Sequence, residues 1–191
     1  MKAISILLRA IFGGVFIFSG FVKAVDPWGT AYKIEEYIAV FGMNWLADAI
    51  SFLPITLSIL LSSLEFMIGV LIFFGFFPKL SKYSAAIIMG FFTILTFIDA
   101  LTNKVDDCGC FGDAIKLTNW ETFWKNVVLD VILVGIFLLE RKMELGVSRV
   151  NSKLLTSVFG VFIIAFSVYS AVYEPVIDFR AWKIGNQMVP V

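Results

Sequence analysis

The stretch "FLPITLSILLSSLEFMIGVLIFFGFF", residues 52–77, decides the fold. Its only charged side chain is that of Glu65, so it easily supplies the ~20 mostly apolar residues that a membrane-spanning helix needs. The same requirement is met by four further stretches, at about 4–25, 83–101, 123–139 and 154–172. The pattern therefore predicts five transmembrane helices.

The composition agrees with a membrane protein. Apolar residues make up 60% of the chain, the mean hydropathy is +0.93, and there is no histidine. General bases, metal sites and haem ligation that need histidine are thereby excluded. Two cysteines alone cannot complete a zinc tetrahedron, so metal binding is the weakest interpretation of them and no metal ligand is assigned. The net charge is zero and no basic run occurs, which argues against nucleic acid as a partner.

The first apolar stretch has two interpretations. Small residues around Lys23 could form the cleavage region of a signal peptide, but Arg9 interrupts the early apolar run and Lys23 falls where that region should be neutral. We therefore expect a retained helix. Small residues in the first two helices predict close helix packing; they are Gly13, Gly14, Ser19, Gly20, Ser62, Ser63 and Gly69.

Basic residues in the short connections predict the orientation. One side would carry Lys2, Arg9, Lys79, Lys82, Arg141, Lys142, Arg149 and Lys153. By the positive-inside rule this side is cytoplasmic, with the N-terminus inside. The loop after the third helix and the tail at 173–191 are then extracytoplasmic.

Residues 30–49 are too polar to span a membrane, yet their apolar side chains recur at near-helical spacing. This pattern predicts an amphipathic helix that lies in the outer interface. A packing role is favoured over a binding role. The predicted fold is thus an all-α polytopic membrane bundle over residues 1–172, with one interfacial helix.

Both cysteines of the chain lie in "VDDCGCFGDAIKL", residues 105–117, which we call the cysteine loop. In an oxidising compartment, Cys108 and Cys110 are expected to form a disulfide. Because only Gly109 separates them, the ring is small and strained, and strained disulfides are the labile or catalytic ones. A stabilising bridge would gain more by closing a longer loop.

Three interpretations of the cysteines remain open at this point. Redox exchange is favoured by ring strain, but Asp106, Asp107 and Asp113 disfavour a thiolate, with only Lys104 and Lys116 to offset them. A disulfide that merely fixes the turn is the second interpretation. Metal binding or inert thiols are the third.

Three carboxylates fall within the predicted helices: Glu65, Asp99 and Asp130. A carboxylate at membrane depth is costly, so each should face the bundle interior, be protonated or pair. Arg9 and Lys125 are the candidate partners. Glu65 and Asp130 are candidates for a proton relay or for interhelical hydrogen bonds, whereas a structural role is favoured for Asp99.

Several stretches together resemble the DoxX-like and MauE-like families of integral membrane proteins. The resemblance covers most of residues 7–140 and is most specific at "CGCFG", residues 108–112. Glu65 and Asp130 are weaker matches. The family resemblance rests on four stretches: "LLRAIFGGVFIFSGFVKAVDP", "LEFMIGVLIFFG", "DDCGCFGD" and "NWETFWKNVVLDVILV".

The resemblance implies a four-helix core in a bacterial inner membrane, to which this chain adds a fifth transmembrane helix. MauE-like proteins are associated with maturation of a disulfide-rich periplasmic enzyme subunit, and some DoxX-like proteins with thiol oxidation coupled to quinone. The implied function is a thiol-disulfide oxidoreductase that acts through Cys108 and Cys110 on a periplasmic thioredoxin-like or disulfide-containing protein. The alternative is a non-catalytic membrane subunit or assembly partner whose outer loops dock another protein.

A quinone is the candidate cofactor by this analogy alone, because composition and spacing assign none. Aromatic side chains that could wall a quinone site are Phe91, Phe92, Phe97, Phe111 and Trp124. Phenylalanine on such helices more often faces lipid or the core.

Overall fold

A computed structural model of the chain describes residues 2–43, 45, 50–103, 105, 109–112, 114–115, 117–140 and 149–173, without the side chains of residues 2, 140, 149 and 150. Over this part of the chain the helices are α1 (Lys2–Val25), α2 (Pro27–Val40), α3 (Leu53–Phe74), α4 (Pro78–Thr102), α5 (Asn119–Glu140) and α6 (Arg149–Val172). All except α2 are long and apolar enough to cross a membrane. The predicted all-α polytopic bundle is confirmed.

The centre of the bundle is the pair formed by α1 and α3, which pack against each other more extensively than any other helices described. Glycines make this approach possible. A Cβ atom on Gly69 would lie 2.6 Å from the backbone nitrogen of Ile17, and one on Gly20 would overlap the backbone of Phe66. The two backbones therefore touch where side chains are missing, as small residues allow in membrane helices.

Two apolar clusters flank this central pair. The first joins α1 and α3 to α4 and α5; its buried members are Phe12, Phe16, Ile68, Ile72, Ala85, Met89, Leu129, Leu133 and Ile136. The second joins α1 and α3 to α6; its buried members are Ala24, Phe66, Val70 and Ile163. The helices α4 and α5 thus cover one side of the central pair, and α6 covers another.

The amphipathic helix α2 starts and ends on recognisable signals. Asp26 accepts a hydrogen bond from the backbone N–H of Gly29 at 3.1 Å, and Pro27 occupies the first turn, so α2 begins before residue 30. Gly42 has a φ of +70°, just after the helix ends at Val40. Residues 44 and 46–49 of the predicted interfacial helix lie outside the described residues.

A hydrogen bond joins α2 to α4, and a local capping box defines the start of α5. Tyr37 of α2 donates to the Asp99 carboxylate on α4 at 2.5 Å. At the start of α5, Thr118 and Glu121 form a reciprocal capping box, with the Thr118 N–H donating to Oε2 of Glu121 at 2.9 Å. The helix that follows the cysteine loop therefore has a defined first turn.

The close approach of α1 and α3 gives a matched pair of variants. Gly20→Ala would push a methyl group into the backbone of Phe66, whereas a methyl group on Gly14 would meet nothing within 4 Å. We expect Gly20→Ala to cost about 1–3 kcal/mol of folding stability, typical of overpacking. Gly14→Ala should be neutral or stabilising. Thermal unfolding in detergent measures both, and equal unfolding temperatures would contradict the packing.

Candidate functional site

A pair of ionisable side chains lies inside the bundle, between α1 and α3. The Lys23 Nζ atom is 2.6 Å from Oε1 of Glu65. Only 4% of Lys23 and 1% of Glu65 are exposed. A buried pair of this kind is weak as a source of stability, because removing two charges from water offsets much of their attraction. Its presence in a membrane helix bundle makes it a candidate functional site.

Ser19 connects this pair to the cysteine loop. Its hydroxyl oxygen is 2.7 Å from Oε2 of Glu65 and 2.6 Å from the carbonyl oxygen of Cys110. Both are hydrogen-bond distances. Ser19 and Lys23 are one helical turn apart on α1, so both reach Glu65 from the same face. The backbone of Cys110 is thus linked to the buried polar pair through the Ser19 hydroxyl.

The loop turns tightly at this point. The backbone N–H of Gly112 donates to the carbonyl oxygen of Gly109 at 3.0 Å. Both glycines have positive φ angles, +60° and +51°, which residues with a Cβ atom rarely adopt. Cys110 is half-buried between them. Its predicted disulfide partner Cys108 lies outside the described residues, as do the predicted charged neighbours Lys104, Asp106, Asp107, Asp113 and Lys116.

A small crevice opens beside Cys110, with a free space of about 20 Å³, room for about one water molecule. Its polar lining consists of Ser19, Lys23, Glu65, Lys125 and Asn126, besides Cys110. Lys125 lies with its Nζ atom 4.5 Å from the centre of the Phe111 ring. The crevice therefore combines one carboxyl group and two amino groups with the backbone of the cysteine loop.

The aromatic residues predicted to wall a quinone site are divided by the structure. Phe92 and Phe111 line the crevice. Phe91, Phe97 and Trp124 are exposed on the outside of the helices, as lipid-facing residues are. The lining has ring faces and the N–H groups of Lys125 and Asn126, but the free space of about 20 Å³ is too small for a quinone ring.

The three membrane carboxylates occupy different environments. Glu65 contacts Lys23 and Ser19 in the crevice. Asp130, half-buried on α5, accepts a hydrogen bond from the Thr93 hydroxyl of α4 at 2.7 Å and does not line the crevice. Asp99 accepts from Tyr37, which joins α4 to α2. Glu65 lines the crevice beside Cys110.

The predicted cationic partners of these carboxylates were wrong for Glu65. Arg9 donates through Nε to the carbonyl oxygen of Ile72 at 2.8 Å and through Nη2 to that of Phe73 at 3.4 Å. A guanidinium satisfies the last carbonyls of a helix well. Lys125 lies over Phe111 instead of bonding to Glu65. The partner of Glu65 is Lys23.

Sequence reasoning therefore missed two residues of the site, Lys23 and Ser19. The sequence pattern indicates Lys23 only as part of a possible cleavage region and Ser19 only as a small packing residue. The signal that was available is their spacing of four residues on one helix, since positions i and i+4 share a face.

The fold and the site together define a class of protein: a polytopic helical membrane protein in which a buried Lys–Glu pair lines the same crevice as a cysteine-containing loop. The chain belongs to the MauE family, because the model of that family, described as methylamine utilisation protein MauE, matches residues 1–139. The match includes α1 to α4, the cysteine loop and nearly all of α5, whereas α6 lies beyond it. No curated protein and no solved structure gives a significant match.

Proposed function

We propose that this protein is a membrane thiol-disulfide oxidoreductase that acts on a thioredoxin-like or disulfide-containing protein outside the membrane. In this proposal, a Cys108–Cys110 disulfide takes two electrons from a dithiol of the partner. The observation that carries the proposal is the buried Lys23–Glu65 pair, which reaches Cys110 through the Ser19 hydroxyl.

The position of the pair favours chemistry over packing. Interhelical hydrogen bonds can hold membrane helices together, and the contact between Thr93 and Asp130 is of that kind. The Lys23–Glu65 pair instead lines the same crevice as Cys110 and is linked to the cysteine loop through Ser19. Disulfide exchange moves protons as thiols form and ionise, and an ionisable pair in this crevice could supply or accept those protons.

The exchange proceeds in two steps. A partner thiolate attacks one sulfur of the bridge, which forms a mixed disulfide and releases the other cysteine as a thiolate that takes up a proton. The second partner thiolate then attacks the mixed disulfide and releases the remaining cysteine as a thiolate, which takes up a second proton. The partner leaves as a disulfide, two electrons poorer, and Cys108 and Cys110 are both thiols. Glu65 lies where a proton can be given to or taken from the crevice beside Cys110.

Return to the disulfide needs a two-electron acceptor, and a quinone is the class we propose. A bound quinone supplies an acceptor for two electrons and two protons within the membrane. The crevice beside Cys110 has a free space of only about 20 Å³, too small for a quinone ring, so none of its residues is assigned to a quinone site.

The proposed exchange is tested with a thioredoxin-fold protein that keeps its attacking cysteine but lacks the second one. Mixed with the oxidised chain, this single thiol should attack the bridge and stop at a stable mixed disulfide. A reducible adduct on a non-reducing gel, mapped by mass spectrometry to Cys108 or Cys110, is the expected result. Cys110→Ser is the matched control, since it has no bridge to attack. If the wild type forms no more adduct than this variant, the proposal fails.

A second function, docking without catalysis, is favoured by one observation. The cysteine loop packs against α2, because a Cβ atom on Gly109 would lie 3.2 Å from Cγ of Lys33. On the same helix, Trp28 and Tyr32 are exposed. A partner could bind this surface, with the cysteines merely shaping the loop. The double variant Cys108→Ser/Cys110→Ser would then support partner maturation as well as the wild type does.

A further inference from the structure

Lysines from two distant parts of the chain contact the neighbours of Cys110. On one side, a Cβ atom on Gly109 would lie 3.2 Å from Cγ of Lys33, which belongs to α2. On the other side, Nζ of Lys125, which belongs to α5, lies 4.5 Å from the centre of the Phe111 ring. The fold therefore brings basic side chains to a loop whose own acidic residues disfavour a thiolate.

The basic groups around Cys110 differ in how their charge is offset. Nζ of Lys33 lies 3.0 Å from Oε2 of Glu36, and Nζ of Lys23 lies 2.6 Å from Oε1 of Glu65. Each of these lysines thus has a carboxyl group at ion-pair distance. Among the residues that the structure describes, no carboxyl group lies within ion-pair distance of Lys125. Its charge is therefore the one that remains to act on the loop.

The ring of Phe111 holds Lys125 beside the loop. A lysine near the end of a membrane helix commonly extends its amino group to water. Here the amino group is within the distance of about 6 Å at which a cation is attracted to an aromatic face. Phe111 in turn contacts the ring of Phe18 on α1, with 5.7 Å between the ring centres. The position of Lys125 is thus fixed by the residue that follows Cys110 in the chain.

The crevice leaves little water to weaken this charge. Cys110 and Lys125 both line it, and its free space of about 20 Å³ has room for about one water molecule. From α4, Met89 and Phe92 line the crevice, and neither carries a charge. A charge acts more strongly where apolar groups replace water, because they screen it less.

We propose that Lys125 stabilises the thiolate of Cys110. A cation beside a cysteine favours the thiolate over the thiol. In the exchange, a partner thiolate that attacks the other sulfur of the bridge forms a mixed disulfide there and breaks the bond to Cys110. The electron pair of the broken bond stays on the Cys110 sulfur, and a thiol that ionises more readily leaves faster. Lys125 acts through Cys110, so it is a positioning residue.

This inference rests on the proposed function only for its use, because the thiolate is measured on the reduced protein without a partner. Alkylation by iodoacetamide consumes the thiolate, and mass spectrometry quantifies the product at Cys110 alone. Lys125→Met should shift the dependence of the alkylation rate on pH to higher pH. Below the midpoint the rate should fall roughly tenfold, the lower end of the effect of a nearby opposite charge.

Two comparisons distinguish this charge effect from a change in structure. At a pH where the thiols of all variants are ionised, Lys125→Met should react nearly as fast as the wild type, whereas a loop that had become covered would react slowly at every pH. Lys125→Arg keeps the charge and should keep the wild-type profile. Lys82→Met is the matched control, since Lys82 lies over the ring of Phe137 at 5.5 Å and does not line the crevice.

The proposal is overturned if a folded variant without the charge has the same profile as the wild type, or if Lys125→Arg shifts the profile as far as Lys125→Met does. Lys125→Gln replaces the methionine variant should that one not fold. Because no partner protein takes part, this assay can fail while the mixed disulfide of the exchange forms, and the reverse.

Discussion

Lys23→Met is expected to destabilise the folded bundle by roughly 2–5 kcal/mol, the range between an orphaned buried polar group and an uncompensated buried charge. The methionine has a similar length and fills the space of the lysine stem. Glu65, however, loses the N–H that bonds its Oε1 atom and cannot turn to water, because only 1% of it is exposed. Glu65→Leu should lower the folding stability for the same reason, since it removes the carboxylate that bonds the buried Lys23.

The double variant Lys23→Met/Glu65→Leu distinguishes this account from a simple packing defect. With both polar groups removed, nothing buried is left unpaired, and stability should return close to that of the wild type. Equilibrium unfolding in mixed micelles measures all four members of the cycle. The account is contradicted if the losses of the two single variants add in the double variant.

The fold could be predicted from the sequence because its cause is distributed over many residues. Apolar stretches of membrane length recur five times, and any one of their residues could change without hiding the pattern. The limits of α2 were harder to predict, since Asp26 and Pro27 set its start through one local hydrogen bond. A periodicity averaged over 30–49 does not detect such a signal.

The candidate site could be predicted only in part. Cys110 and Glu65 stood out because cysteine and carboxylate are rare in apolar helices and loops of this kind. Their neighbours did not, because contact between α1 and α3 depends on the relative depth and rotation of two helices. The glycines at 20 and 69 fix that register, and it brings Lys23 and Ser19 to Glu65.

Arg9 is a second residue whose contact partner could not be predicted from the sequence. Its charge within the first helix predicted a carboxylate partner. The C-terminal carbonyls of α3 take its hydrogen bonds instead, and Gly75 leaves the space that the guanidinium occupies. Helix ends are as good a partner for a cation as an acid is, and the sequence marks them less clearly.

The second large effect concerns the reduction potential of the cysteine pair. A bridge between Cys108 and Cys110 closes so short a loop that it restricts the unfolded chain little and strains the folded one. Both effects make the disulfide easier to reduce. We therefore expect a potential well above roughly −300 mV, below which structural disulfides of secreted proteins lie. The turn at Gly109 and Gly112, with Ser19 bonded to the carbonyl oxygen of Cys110, places Cys110 beside the crevice.

The measurement that tests the central claim most directly is a redox titration of the purified protein in nanodiscs. Glutathione buffers of known potential set the equilibrium, and thiol labelling followed by mass spectrometry counts the reduced cysteines, with Cys110→Ser as the variant that should not titrate. A midpoint in the range of thiol-disulfide exchange proteins, about −120 to −270 mV, is the predicted result. A midpoint below roughly −300 mV would show a structural disulfide and contradict the proposed exchange.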